Sequence, residues 1–339
     1  MLSRVAETIY WMNRYIERAE NIARFIHVNL HLMLDLPHGA AGNSGAGGGG
    51  QWQPLIWTTG DEKDFMDRYP EATQENVMQF LTFDKENPNS IVSCIRFARE
   101  NARSIREVIS SEMWCTLNSF YLMVTDHSAP AKAAGDPHAF YTDIKTACAL
   151  FLGESEVTMS HGEGWHFGRL ARLLERADKT SRILDVKYYI LLPKVEYVGM
   201  PLDTIQWAAL LKSTSALEMF RQRYPTITPK RVSEFLLLDR EFPRTVLHCI
   251  SKVQESLRTI TGSAEHTYSN PPEQKLGRLL ADLNYANIDE ITKTGLHEYI
   301  DSLQTRINQI DDAIHHTFFG LQSAESETGQ SQDQTMVSI

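Results

Sequence analysis

Cysteine is scarce in this chain: four in 339 residues, Cys94, Cys115, Cys148 and Cys249, with no pair at CxxC spacing. That excludes a disulfide framework and a cysteine-ligated zinc site, and points to a reducing cytoplasm. Long apolar runs are missing too; none approaches the roughly 18–20 residues a membrane helix needs. Met1-Leu2-Ser3-Arg4-Val5-Ala6-Glu7 carries charge where a signal peptide is apolar. Positive charge is in deficit, 33 Lys and Arg against 43 acidic residues, for a net charge of −10. A general binder of nucleic acid or anionic membranes should be basic, so both are disfavoured. There is no nucleophile elbow, P-loop or dinucleotide fingerprint. The glycine-rich stretch 38–51 has no lysine and hydroxyl residue directly after its glycines, the next lysine being Lys63. It reads as a flexible surface loop rather than a phosphate cradle.

What is present is helical periodicity. Val5, Ile9, Met12, Ile16, Ala19, Ala23, Ile26 and Leu30 step by fours and threes, predicting one long helix over about residues 1–36, N-capped by Ser3. Further helices are expected at about 60–83, 91–109, 111–126, 138–158, 161–191, 203–223, 229–238, 243–261, 272–285 and 295–319. Residues 128–137 read as a loop and 321–339 as a disordered tail. No strand pairs or hairpin turns stand out. The expected fold is all-α, an elongated multi-helix bundle.

The most informative feature is an internal echo. Residues 14–24 read Arg-Tyr-Ile-Glu-Arg-Ala-Glu-Asn-Ile-Ala-Arg, and 172–182 read Arg-Leu-Leu-Glu-Arg-Ala-Asp-Lys-Thr-Ser-Arg. A duplication giving halves of about 1–158 and 159–320 explains this pattern, R-x-x-E-R-A-[ED]-x-x-x-R. Ser160 with Glu163 would cap the second copy as a capping box. Glu20–Arg24, Glu175–Lys179 and Asp178–Arg182 are favourable i,i+4 pairs, whereas Arg14–Arg18 and Arg172–Arg176 are like-charged and need an acidic offset. Three readings follow for Arg14, Glu17, Arg18, Arg172, Glu175 and Arg176. They form a solvated helix face, an internal ion-pair lattice in which Glu17 meets Arg176 and Glu175 meets Arg18, or a site for an anionic ligand.

Other constellations are weaker. His161 and His166 are five apart rather than the four that puts two ligands on one helical face, so no metal is expected there. Trp11, Trp114, Trp165 and Trp207 read as core. Cys115 and Cys249 read as buried, inert thiols. Pro243 suits a first helical turn, and Arg240 and Arg244 are candidates to join the lattice.

Leu2-Ser3-Arg4-Val5-Ala6-Glu7, Tyr10-Trp11-Met12, and Arg14 through Glu20 together resemble the opening of the alpha-E family, bacterial all-helical domains named for a Glu-Arg motif. Asn87-Pro88-Asn89-Ser90-Ile91, Ser110-Ser111-Glu112-Met113-Trp114, Leu174-Glu175-Arg176-Ala177-Asp178 and Phe242-Pro243-Arg244 resemble it in the same order. The resemblance covers about residues 1–320. The chain departs from the family pattern at His161 and His166, where arginine is usual. Alpha-E proteins are typically encoded beside circularly permuted ATP-grasp ligases and transglutaminase-like peptidases, and are sometimes fused to the ligase. The resemblance therefore implies an accessory protein of peptide synthesis or modification, partnered by such a ligase, with a transglutaminase-like protein or peptide as a further candidate partner. The alternative is an enzyme of the same pathway using a buried Arg/Glu site. The family supplies no catalytic residue, and no cofactor is expected.

Overall fold

A computed structural model describes residues 1–35, 52–190 and 201–320. Among these residues there is no strand, and the chain runs through sixteen α-helices. The first half holds α1 (Ser3–Asp35), α2 (Gln53–Thr59), α3 (Glu62–Met66), α4 (Gln74–Met78), α5 (Ile91–Ser104), α6 (Ser111–Thr125), α7 (Ala129–Gly135) and α8 (Pro137–Thr158). The second holds α9 (Glu163–Ile190), α10 (Pro201–Ser213), α11 (Leu217–Arg223), α12 (Pro229–Leu238), α13 (Val246–Thr261), α14 (Pro271–Tyr285), α15 (Ile288–Thr294) and α16 (Leu296–Ile314). The polyglycine loop, the stretch between Pro193 and Pro201 and the tail lie outside the described residues.

The long helices form where the apolar period is longest. Every member of the α1 stripe from Ile9 to Leu30 is buried, as are Leu296, Ile300, Leu303, Ile307, Ile310 and Ile314 of α16. Starts are fixed by side-chain caps. Ser90, Ser110, Thr228, Thr245 and Asn270 each accept a hydrogen bond from the backbone N–H three residues on, which satisfies a donor the helix itself leaves open.

Several local expectations are corrected. Residues 129–135 are helical, because Pro130 in the first turn removes an N–H that needs no partner there and alanines continue the turn. Thr245 rather than Pro243 opens α13. The helix expected over 203–223 breaks at Ser215, which takes a positive φ of 54°. Glu163 does not fold back on Ser160; its carboxylate lies 2.6 Å from the Met1 nitrogen. Cys115 is exposed. Trp207 and Trp165 are buried, but Trp11 and Trp114 are only half-buried.

Packing is organised about α1 and α9, which lie against each other. On one side α1 packs with α5 and α8, and α6 closes that group; on the other α9 packs with α13 and α16, and α14 closes that group. Two apolar clusters result. One runs from Ile9 to Phe151; the other is built from the second half and takes in Ala6 and Tyr10 from α1, with half-buried Trp11 against it. Between them runs the α1–α9 seam.

Gly164 and Gly168 of α9 let the seam close. A Cβ at 168 would sit 2.7 Å from Asn13 Nδ2, and one at 164 would sit 3.1 Å from Ile9 Cδ1. Gly168→Leu should therefore cost about 1–3 kcal/mol through overpacking, read as a lower urea midpoint at unchanged slope. An unchanged midpoint would mean the two helices do not touch there.

Candidate functional site

The seam carries charge because α1 and α9 present their Glu-Arg faces to each other. Glu17 accepts two hydrogen bonds from the Arg176 guanidinium, at 2.8 and 2.7 Å. Glu175 accepts two from Arg18, at 2.8 and 3.1 Å. Both are fork-on-fork contacts, the strongest geometry an Arg–carboxylate pair has. The two glutamates are 2 % and 0 % exposed, so the solvated-face reading is excluded by burial. The cross-pairing expected of an internal lattice is present.

Each like-charged arginine pair is offset. Arg14 Nε lies 2.8 Å from Glu175 Oε2, and its Nη1 donates to Asp311 of α16 at 2.9 Å. Tyr10 Oη also donates to Asp311 and accepts from Arg14 at 3.2 Å. Arg172 is the exception. It reaches only Glu156, at 3.3 Å, and its buried Nε has no hydrogen-bond partner. The i,i+4 pairs Glu20–Arg24, Glu175–Lys179 and Asp178–Arg182 form at 2.6, 3.7 and 2.9 Å.

Three further partners complete the lattice, of which Asn89 and Asp311 were not anticipated in the sequence. Asn89, in the turn before the α5 cap, accepts from Arg18 at 2.8 Å and donates to Asp61 at 2.7 Å. Arg244, directly before the α13 cap, reaches Glu17 at 3.4 Å, Asn21 at 3.3 Å, and Glu20. Asp311 is the third. Their signals are weak, since a cap-adjacent residue or one acid on a long helix is commonplace. Arg244 joins the lattice as anticipated; Arg240 instead donates to the Asn284 carbonyl.

The electrostatics follow from this geometry. Burial alone would raise the Glu17 carboxyl, but Arg176 and Arg244 overcome it and hold it down to about 2. For Glu175 burial also opposes, and Arg18, Arg14 and Lys179 bring it still lower. Arg172 moves the other way: burial and then Arg176 push it down to about 10, only partly relieved by Glu17 and Glu156. Beneath the lattice, the buried thiols of Cys94 and Cys249 are pushed up to about 12, chiefly by burial, so they are not nucleophiles.

The remaining candidates do not assemble. His161 stacks on Trp165 with ring centroids 4.1 Å apart, and its Nε2 sits 2.9 Å from the Glu156 carbonyl oxygen, so it does not converge with Glu163 and His166. Arg169, Arg176, Lys179 and Arg182 are engaged by Glu255, Glu17, Glu175 and Asp178. Among the described residues no helix is long and apolar enough to cross a membrane.

Fold and seam together define a class: an all-helical protein whose two principal helices are cross-tied by Glu-Arg pairs. The chain belongs to the Alpha-E family, described as a predicted alpha-helical domain with a conserved ER motif, which it matches over residues 1–319. It is similar to uncharacterized proteins of Mycobacterium bovis and Mycobacterium tuberculosis strain H37Rv, at 23 % and 22 % identity over 335 residues. The match covers 92 % of this chain but 35 % of each relative, so the chain spans about a third of their length. No solved structure is a significant match.

Proposed function

We propose that this protein is a non-catalytic accessory unit of a peptide synthesis or modification system, binding a circularly permuted ATP-grasp ligase or its peptide through outer helical faces. The partner class comes from the family resemblance. The observation that carries the non-catalytic part is the state of Glu17 and Glu175. A general acid or base works best with a pKa near the working pH and within reach of substrate. These carboxyls are sealed, doubly bonded to arginine and held near or below pH 2. Two further observations fit. Leu122 of α6 and Leu150 and Val157 of α8 are large apolar side chains left exposed. The relatives are long enough to carry additional domains on the same chain. Such a role places the protein in the cytoplasm, where ATP is.

The test is co-expression of the full chain with the neighbouring ligase. Stable co-elution is expected, together with greater ligase turnover than the ligase shows alone. A ligase equally active without this chain, and showing no association with it, would refute the proposal. A second reading, binding or catalysis on a carboxylate- or phosphate-bearing substrate, is favoured by one observation. Arg172 is a buried guanidinium with an unpartnered Nε beside Arg176.

A further inference from the structure

Three histidines meet at the C-terminal end of α1, well away from the cross-tied seam centre. His27 and His31 are one turn apart on α1, and His138 stands in the first turn of α8. One ring nitrogen from each can be chosen so that all three lie within 4.8 Å of one another. The ring centroids are 4.8 Å apart for His27–His31, 5.2 Å for His27–His138 and 4.4 Å for His31–His138. The helical spacing is that of paired zinc histidines, where i and i+4 share one face.

We propose that His27, His31 and His138 form a binding site for a divalent transition metal, with zinc as the natural occupant and the fourth position open to water or another ligand. Nitrogens around tetrahedral zinc sit about 2.0–2.1 Å from the metal, which places them roughly 3.4 Å apart. The nitrogens, now within 4.8 Å of one another, would have to close by up to about 1.4 Å. Two local features favour the ion. His138 Nδ1 is buried without a hydrogen-bond partner. His27 is half-buried and its Nδ1 is already turned to a partner, which fixes the ring. Lys145 Nζ lies 2.6 Å from His27 Nδ1. With Nδ1 engaged by the lysine, Nε2 is the His27 nitrogen left to face the ion. Imidazole ligands suit zinc, cobalt, nickel and copper better than magnesium or calcium.

The experiment is titration of the untagged full chain with Co²⁺ and Zn²⁺ at pH 7.5, followed by visible absorption and calorimetry. One equivalent should bind, with the visible bands of a four-coordinate Co²⁺ centre that Zn²⁺ displaces. His31→Ala, at an exposed position that does not threaten folding, and His138→Gln should each weaken binding by more than the roughly 10–100-fold that loss of an outer-shell partner causes. His166→Gln should leave binding unchanged. No saturable binding, equal binding by wild type and His31→Ala, or loss confined to His166→Gln would each overturn the assignment. So would protection of the cluster by inorganic phosphate in place of metal, which would make it an anion site.

Discussion

Glu175→Gln will destabilise the protein by about 3–5 kcal/mol, the loss seen when one member of a buried ion pair is removed. The substitution keeps the shape and deletes only the charge, so it opens no cavity. It leaves Arg14, Arg18 and Lys179 facing an amide in a site that is 0 % exposed. The reciprocal experiment separates the charge from the fold. Glu17→Leu alone strands Arg176 and Arg244, but Glu17→Leu with Arg176→Met removes both halves of a fork-on-fork pair. The double variant should be more stable than either single one, because burying ions in pairs costs nearly as much desolvation as the pairing returns. Urea unfolding followed by circular dichroism measures Glu175→Gln, both single variants and the double variant against the wild type. If Glu175→Gln costs under about 1 kcal/mol, the pair behaves as a solvent-screened surface bridge and the sealed lattice is wrong.

The second large effect is on pH. Glu17 is held at about 2 in the folded protein against an ordinary 4.5, and Glu175 is lower still. A carboxyl lowered on folding contributes stability above its unfolded pKa and loses it as pH falls toward the folded value. The window is therefore about pH 4.5 down to about 2. Glu17 alone is worth about 3 kcal/mol across it. Thermal melts from pH 6 to 2.5 should show Tm flat above pH 5 and falling steeply below 4.5. Glu17→Gln should start lower and fall less steeply, having one fewer proton to take up. A Tm independent of pH between 5 and 2.5 would mean these carboxyls are not ionised and paired in the folded state.

Both results bear on function through Arg172. If the lattice is purely a register device, Arg172→Met should be tolerated, since this guanidinium has the weakest partners in the seam. Stability that rises while ligase stimulation or substrate binding disappears would move the balance to the second reading.

How much of this was legible in the sequence varies with the range of the forces involved. Helix positions came from periodicity and caps, which act within a few residues, so α1, α6, α9, α12 and α16 are close to where the pattern puts them. The breaks were harder. Ser215 takes a positive φ that a non-glycine residue does not advertise, and the Pro- and Ala-containing stretch at 129–135 has a composition that reads as loop. The cross-pairing of Glu17 with Arg176 and Glu175 with Arg18 was accessible because two like-charged arginine pairs required an acid, and each motif carried one. Asn89 and Asp311 were not, and Arg244 was a candidate without its partners, because a single polar residue at a cap or on a long helix face carries no mark of what it will meet. The histidine cluster lies between these cases: His27 and His31 have the spacing of a ligand pair, but only the docking of α8 on α1 brings His138 to them.

The sequence by itself determined that the chain is helical, where its long apolar stripes lie, and that two Glu-Arg motifs must find counter-charges, since periodicity and local repulsion are properties of neighbours along the chain. Only the tertiary structure decided that the counter-charges are each other, that water is excluded from them, and which remote residues complete the network. Burial and convergence depend on groups brought together across more than a hundred residues, and no local pattern encodes that.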